Sequence, residues 1–287
     1  MGIITVARGS YSHGQEIAEK VAQKLGWNCI SREVILEASE EFNIPEIKLT
    51  QAFEDDPSIL DLFTHGKRKY IAYTRAVLLQ HLTKGNVVYH GFAGHFFVEG
   101  ISHVLKILIT ASIEDRISLV TERDKISRKE VSFLISKIDD QRRRWGKTLY
   151  GIEPWDPSLY DLTLHINRIT IEDAVDAICQ VSRLKQFQIT PESEKAIDDL
   201  VLAVKVENFL IDVRPRVDVL IDNKFVYLKS EIPLSEESEI VSRMGEIMKT
   251  IPGIRGIEVV TPTLQKSRMP QVLGVKGEAV EGIALYQ

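Results

Sequence analysis

Two rhythms of apolar and polar positions run along the 287-residue chain, one of strands and one of helices. Ile3–Ala7 is a short apolar, β-branched run, the pattern of a parallel strand buried on both faces. After it Ile17, Val21, Ala22 and Leu25 recur at helical spacing, and Gly26 closes the helix. Trp27–Ile30 predicts a second short strand and Arg32–Glu41 a helix, while Glu46–Phe63 is acidic and irregular, with Asp55-Asp56-Pro57 as a turn. A long helix is predicted over Lys67–Leu82, ending at Gly85. NVVYHG, from Asn86, repeats the pattern of strand into glycine, and HVLKILITA, from His103, predicts another strand. Ser112 is placed to cap a helix with Glu114 and Asp115 in its first turn. Ser127 begins a further helix through about Arg144, with Val131, Leu134, Ile135 and Ile138 as its apolar stripe. DLTLHI, from Asp161, gives a strand, and Thr170 caps the helix that follows. Strands alternating with helices in this way predict an α/β fold, a parallel sheet with helices on both faces.

The pattern changes after Gln188. QFQITPES, from Gln186, reads as a linker, and Ser193–Leu210 as a helix. Two alternating strands, RVDVLI and FVYLKSEI, are joined by Asp222-Asn223-Lys224, a plausible hairpin turn. A helix over Glu236–Ile251, a PGIRG turn and a last strand complete a small α+β unit in the order αββαβ. The expected domains are therefore 1–187 and 193–264, with 265–287 as a tail.

Composition narrows the function classes. Hydrophobic residues make up 44% and charged residues 27%, ordinary for a globular protein, and 36 basic against 41 acidic residues give a net charge of −5. No nucleic-acid partner is expected from that balance. The only cysteines, Cys29 and Cys179, stand outside any CxxC or ligand spacing, so neither a disulfide scaffold nor a structural metal site is expected, and a reducing cytoplasm fits. No stretch approaches the roughly 18 uninterrupted apolar residues of a membrane span.

The chemistry concentrates between the first strand and the first helix. Gly9 and Gly14 are spaced as in G-x-x-x-x-G, but Gln15 and Glu16 stand where a phosphate loop offers lysine and a hydroxyl. A helix N-terminus after a strand binds anions, so spacing alone leaves both a phosphate loop and a plain turn open. Glu16 is equally a magnesium ligand or an ordinary first-turn acid. Candidate cations are Arg8, Arg116, Arg123 and the run Arg142-Arg143-Arg144 that follows Asp139-Asp140. Arginine suits bidentate phosphate contacts; the same DDQRRRW stretch also reads as a solvated helix face with its own ion pairs.

ITVARGSYSHGQEIAEKVAQKLGWNCISREVI, from Ile4, resembles the opening of the cytidylate kinase-like family, with Arg8, Ser12, Gly14, Glu16, Ile17 and Ala18 matching its pattern. The stretch from Asn86 to Val120, and DPSLYDLTLHINRIT from Asp156, are similar to that family's later strands, so the resemblance spans roughly residues 2–187. The loop lysine is itself commonly absent in that family. The resemblance implies a P-loop NTPase-like fold and phosphoryl transfer from ATP, with Mg2+, to a nucleoside monophosphate. It implies that Gly9, Ser12, His13 and Gly14 cradle phosphates and that Arg8, Arg142 and Arg143 supply catalytic charge. Glu16, Arg32, Arg123, Asp139 and Asp161 become further nucleotide contacts. The alternative is a non-catalytic nucleotide or anion sensor that signals through the C-terminal unit. That unit, ending in IPGIRGIEVVTPTL, resembles a BON domain, a binding module, which implies a protein partner or homo-oligomer.

Overall fold

A computed structural model describes residues 2–31, 34, 37, 66–91, 94–211, 218–229 and 237–260. Most of the helix expected over 32–41, the irregular segment 46–63 and the 265–287 tail lie outside the described residues. The chain forms two compact units that divide between Asp198 and Asp199.

In the first unit β1 (Ile3–Arg8), β2 (Asn28–Ile30), β3 (Val87–His90), β4 (Val104–Ala111) and β5 (Leu162–Ile166) make one sheet. Their order is β2-β3-β1-β4-β5 and every neighbouring pair is parallel. The strand pleat sends alternate side chains to opposite faces. Ile4 and Val6 therefore meet α1 (Gly14–Leu25) and α6 (Ile171–Val181), sharing one apolar cluster with Ile17, Val21, Val175 and Ile178. The helix α2 (Gly66–Leu82) precedes β3, and the short α3 (Gly94–Phe97) packs against β1. Between β4 and β5 lie α4 (Ile113–Asp124) and α5 (Arg128–Tyr150), packed on one another.

Side-chain caps set the helix starts. Ser112 accepts a hydrogen bond from the Asp115 N–H, and Ser127 with Glu130 and Thr170 with Asp173 form capping boxes. Helix α5 runs past the expected end near Arg144 to Tyr150, where Gly151 caps it at φ 69°. Gly146 lies within it because a Cβ there would stand 2.6 Å from Pro154 Cγ. The glycine therefore serves a close approach by the returning chain and does not stop the helix.

The second unit contains the latter part of α7 (Pro191–Leu210), β6 (Asp218–Asp222), β7 (Phe225–Lys229), α8 (Glu237–Thr250) and β8 (Gly256–Val260). Helix α7 starts inside the expected linker, because Thr190 Oγ1 accepts from the Ser193 N–H and Pro191 suits a first helical position. β6 and β7 are antiparallel, joined by Asn223 and Lys224 at φ 49° and 67°, the left-handed pair of a two-residue hairpin. β8 adds parallel to β7, and both helices bury one face of the sheet around Val206, Val226, Leu228 and Ile247.

Candidate functional site

In a parallel sheet ligands gather beyond the strands' C-terminal ends, where the strand order reverses. Here that point is the loop after β1, whose neighbours β3 and β4 lie on either side. The Gly9 N–H donates to the Ile109 carbonyl at 3.0 Å, holding the chain against β4 one residue beyond the strand. Ser12 is buried, and its hydroxyl lies 2.9 Å from the Gly9 carbonyl and 3.1 Å from that of Ile109. It braces the loop from beneath.

Tyr11 and His13 both hold left-handed backbone conformations, at φ 56° and 62°. Such a conformation costs a non-glycine residue roughly 1 kcal/mol or more, and it tends to persist where the surroundings impose it. His13 occupies the N-cap position of α1 but makes no capping bond to the backbone; its Nδ1 lies 3.4 Å from Glu16 Oε2 instead. The N–H groups of Gly14, Gln15 and Glu16 consequently have no acceptor among the described residues. Their partial positive charge opens onto a cleft of about 450 Å³.

Three arginines line that cleft, and two of them, Arg8 and Arg142, meet there. Arg142, projecting from α5, donates from Nη1 to the Arg8 carbonyl at 2.9 Å. Burial, and then the charge of Arg8, push the Arg142 pKa down to about 10. Burial likewise lowers that of Arg8, whose Nε has no hydrogen-bond partner. Neither guanidinium forms an ion pair with a described carboxylate. Like charges brought together out of water are costly, and a bound anion would offset that cost.

A second group of contacts holds the loop to its surroundings. Asp139 Oδ1 accepts from the Ser10 hydroxyl at 2.7 Å and from the Ser10 N–H at 3.3 Å, while Oδ2 accepts from Arg116 Nη2. Arg116 Nε also donates to the Ser10 carbonyl at 2.6 Å. Asp139, expected as a nucleotide contact, is thus placed as an anchor of the loop. Arg116 is among the cations singled out in the sequence, whereas Ser10 is not, and only its place inside G-x-x-x-x-G marks it.

The other expected site residues divide clearly. Arg123, at the end of α4, lines the cleft with its guanidinium 5.2 Å from the centre of the Tyr11 ring and paired to Asp124. Glu16 also lines it, 3.0 Å from Lys20. Arg143 points elsewhere, bonded to Asp140 at 3.2 Å and Glu153 at 3.1 Å. Asp161 stands before β5, at the other end of that strand, and exchanges two 2.8 Å backbone and side-chain bonds with Lys106. Arg32 lies outside the described residues.

His95 is buried in α3, its Nε2 3.3 Å from the Tyr160 hydroxyl, which donates to the Pro154 carbonyl at 2.7 Å. Burial, aided by the Lys106 charge, lowers its pKa from 6.5 to about 3. The unfolded chain therefore takes up a proton that the folded chain refuses between those values, and stability is full above the unfolded value and lost as pH falls. The expected contribution is on the order of 1 kcal/mol per pH unit on the acid side of about pH 6. Urea denaturation at several pH values checks this: His95→Gln should show a shallower loss between about pH 6 and 5 than the parent chain.

A five-stranded parallel sheet with helices on both faces, and a loop after its central strand that runs into a helix N-terminus, is an α/β architecture consistent with that of P-loop kinases. The chain belongs to the cytidylate kinase-like family, whose model matches residues 3–168. It is 26% identical over 175 residues to a cytidylate kinase of Methanopyrus kandleri, a match covering 58% of this chain and 85% of that one. A cytidylate kinase of Sulfolobus acidocaldarius is 26% identical over 172 residues, covering 60% of this chain and 88% of that one. A solved structure of an uncharacterized protein from Eubacterium ventriosum is similar at 15% identity and a TM-score of 0.49, covering 63% of this chain and 98% of that one. That last likeness is too loose to add to the reading of the fold.

Proposed function

We propose that the protein transfers a phosphoryl group from ATP to a nucleoside monophosphate, with arginines standing in for the missing loop lysine. The observation that carries this reading is the Arg8–Arg142 pair, two partly buried cations without an ion-pair partner beside the unsatisfied N–H groups of α1. Phosphoryl transfer asks a protein chiefly to position the phosphates and stabilise their charge. The N–H groups of Gly14, Gln15 and Glu16 would hold phosphate oxygens, with Gly9, Ser12 and His13 shaping the loop. Arg8 and Arg142 would donate to the transferring group as the bond to the leaving diphosphate breaks and the bond to the monophosphate oxygen forms. Arg123 is placed to meet the nucleotide at the rim of the cleft.

The donor set fits magnesium carried in with ATP. Magnesium often binds through one or two carboxylates together with substrate phosphates and water. Glu16 and Glu19 line the cleft and could supply such a carboxylate, while no group of three acidic, histidine or cysteine ligands occurs among the described residues. Bound there, the ion would neutralise phosphate charge. The second unit, with its αββαβ order, is proposed as a BON-like module that takes a protein partner or a second copy of the chain.

The test uses the full chain with magnesium, ATP and each of CMP, dCMP and UMP. ADP release that depends on one monophosphate is expected, with a melting-temperature rise of several degrees at roughly 100 times the dissociation constant. A shift without ADP release would assign the nucleotide sensor instead. No shift with ATP, CMP, dCMP or UMP would remove both readings.

A further inference from the structure

We propose that Ser10, Asp139 and Arg116 form a latch that positions Arg142 on the anion site, coupling helix α5 to the loop. The inference rests on the proposed function, because it assigns these residues a place behind the anion and none in contact with it.

Asp139 and Arg142 are three residues apart on α5 and so share one side of the helix. Asp139 grips Ser10 in the loop, and Arg142 grips the carbonyl of Arg8, two residues earlier at the end of β1. Two grips, offset along both helix and loop, fix the orientation of α5 where one would leave it free to swing. Arg116 closes the arrangement from α4, reaching the Ser10 carbonyl, the Ser10 hydroxyl and Asp139. Ser10 is only 3% exposed and Arg116 9%, so water competes weakly for these bonds. All the polar atoms of Ser10 and both oxygens of Asp139 are engaged.

The charges point the same way. Asp139 and Arg116 neutralise one another, so together they offer little attraction to an anion. The attraction falls to Arg8 and Arg142, and the neutral pair holds one of them in place. A carboxylate facing a phosphate would weaken binding; this one is turned to Ser10 and Arg116.

That distinction supplies a test by sign, with inorganic pyrophosphate titrated into the full-length chain by calorimetry. Removing a carboxylate near an anion site should tighten binding if Asp139 acts only through its charge. The latch requires the opposite: Asp139→Ala and Ser10→Ala should each weaken binding, by about tenfold for the first, as coupled contacting residues do. In a chain carrying Arg142→Ala, adding Asp139→Ala should weaken binding no further. Ser10→Ala removes only a hydroxyl, so it decides the matter if Asp139→Ala fails to fold. Unchanged or tighter binding in Ser10→Ala and Asp139→Ala, with Arg142→Ala still weakened, overturns the latch alone. An Arg142→Ala chain that binds as well as the parent overturns the anion-site reading itself.

Discussion

Arg142→Ala is expected to lower phosphoryl transfer by about a thousandfold, the scale of an arginine that stabilises the transferring group. Its melting temperature should stay within about 3 °C of the parent's, since the lost bond is worth only about 1–3 kcal/mol and removing one of two crowded charges offsets part of it. The Arg142 guanidinium has one described hydrogen bond, to the Arg8 carbonyl, and burial and Arg8 act against its charge. A group held charged at a cost to the fold, and facing a cleft, is a candidate for function. Arg143→Ala is the comparison. Its side chain is exposed and engaged with Asp140 and Glu153, so transfer should change by less than about threefold, as for most surface substitutions away from a site. Steady-state ADP release and thermal melts of both variants check the pair of outcomes.

The second large effect is expected from Gly14→Val. A Cβ at Gly14 would stand 2.6 Å from Arg8 Cβ and 2.9 Å from Arg8 Cδ, so any side chain there must push Arg8 out of its place. Valine adds two methyl groups against the same neighbour, and overpacking of this kind costs about 1–3 kcal/mol. Anion binding loses both the Arg8 position and open access to the α1 N–H groups, and affinity for ATP should fall by about a hundredfold or more, the sum of one charged and several neutral hydrogen bonds. Gly9→Ala provides the contrast. A Cβ there meets Ser12 Cβ at 3.6 Å, an ordinary contact, and Gly9 is not in the left-handed region, so stability and affinity should barely change. Titration with ATP and denaturant melts of both variants read the difference.

Much of the first unit was legible because its signals are local. β-branched runs mark β1, β3 and β4, the periodicity of Ile17 and Val21 marks α1, and Ser112, Ser127 and Thr170 cap helices in the way short hydroxyl side chains do. The misplaced end of α5 has an equally definite cause. The apolar stripe that marks this helix ends at Ile138 and carries no sign of its last turns, and Gly146 within them is glycine because Pro154, a neighbour brought back by the fold, leaves no room for a Cβ. The start of α7 was hidden in a stretch whose Thr190 and Pro191 look like linker residues and act as cap and first turn.

The site was legible in its parts and not in their grouping. Gly14 and the arginines stand out by type, yet Arg142 and Arg143 are indistinguishable in sequence. Only the helix phase separates them, turning Arg142 to the loop and Arg143 to Glu153. Asp139 likewise reads as a ligand contact in sequence, whereas the fold turns its oxygens to Arg116 and to Ser10, and Ser10 lies more than a hundred positions from both. Long-range pairing of that kind leaves no periodic trace.

The most direct test of the central claim is a crystal structure of the chain with magnesium and a non-hydrolysable ATP analogue. The expected result places phosphate oxygens within hydrogen-bond distance of the Gly14–Glu16 N–H groups, with the Arg142 guanidinium on the outer phosphates and Asp139 still on Ser10. Phosphates bound elsewhere, or Arg8 and Arg142 left without contact to them, would contradict it.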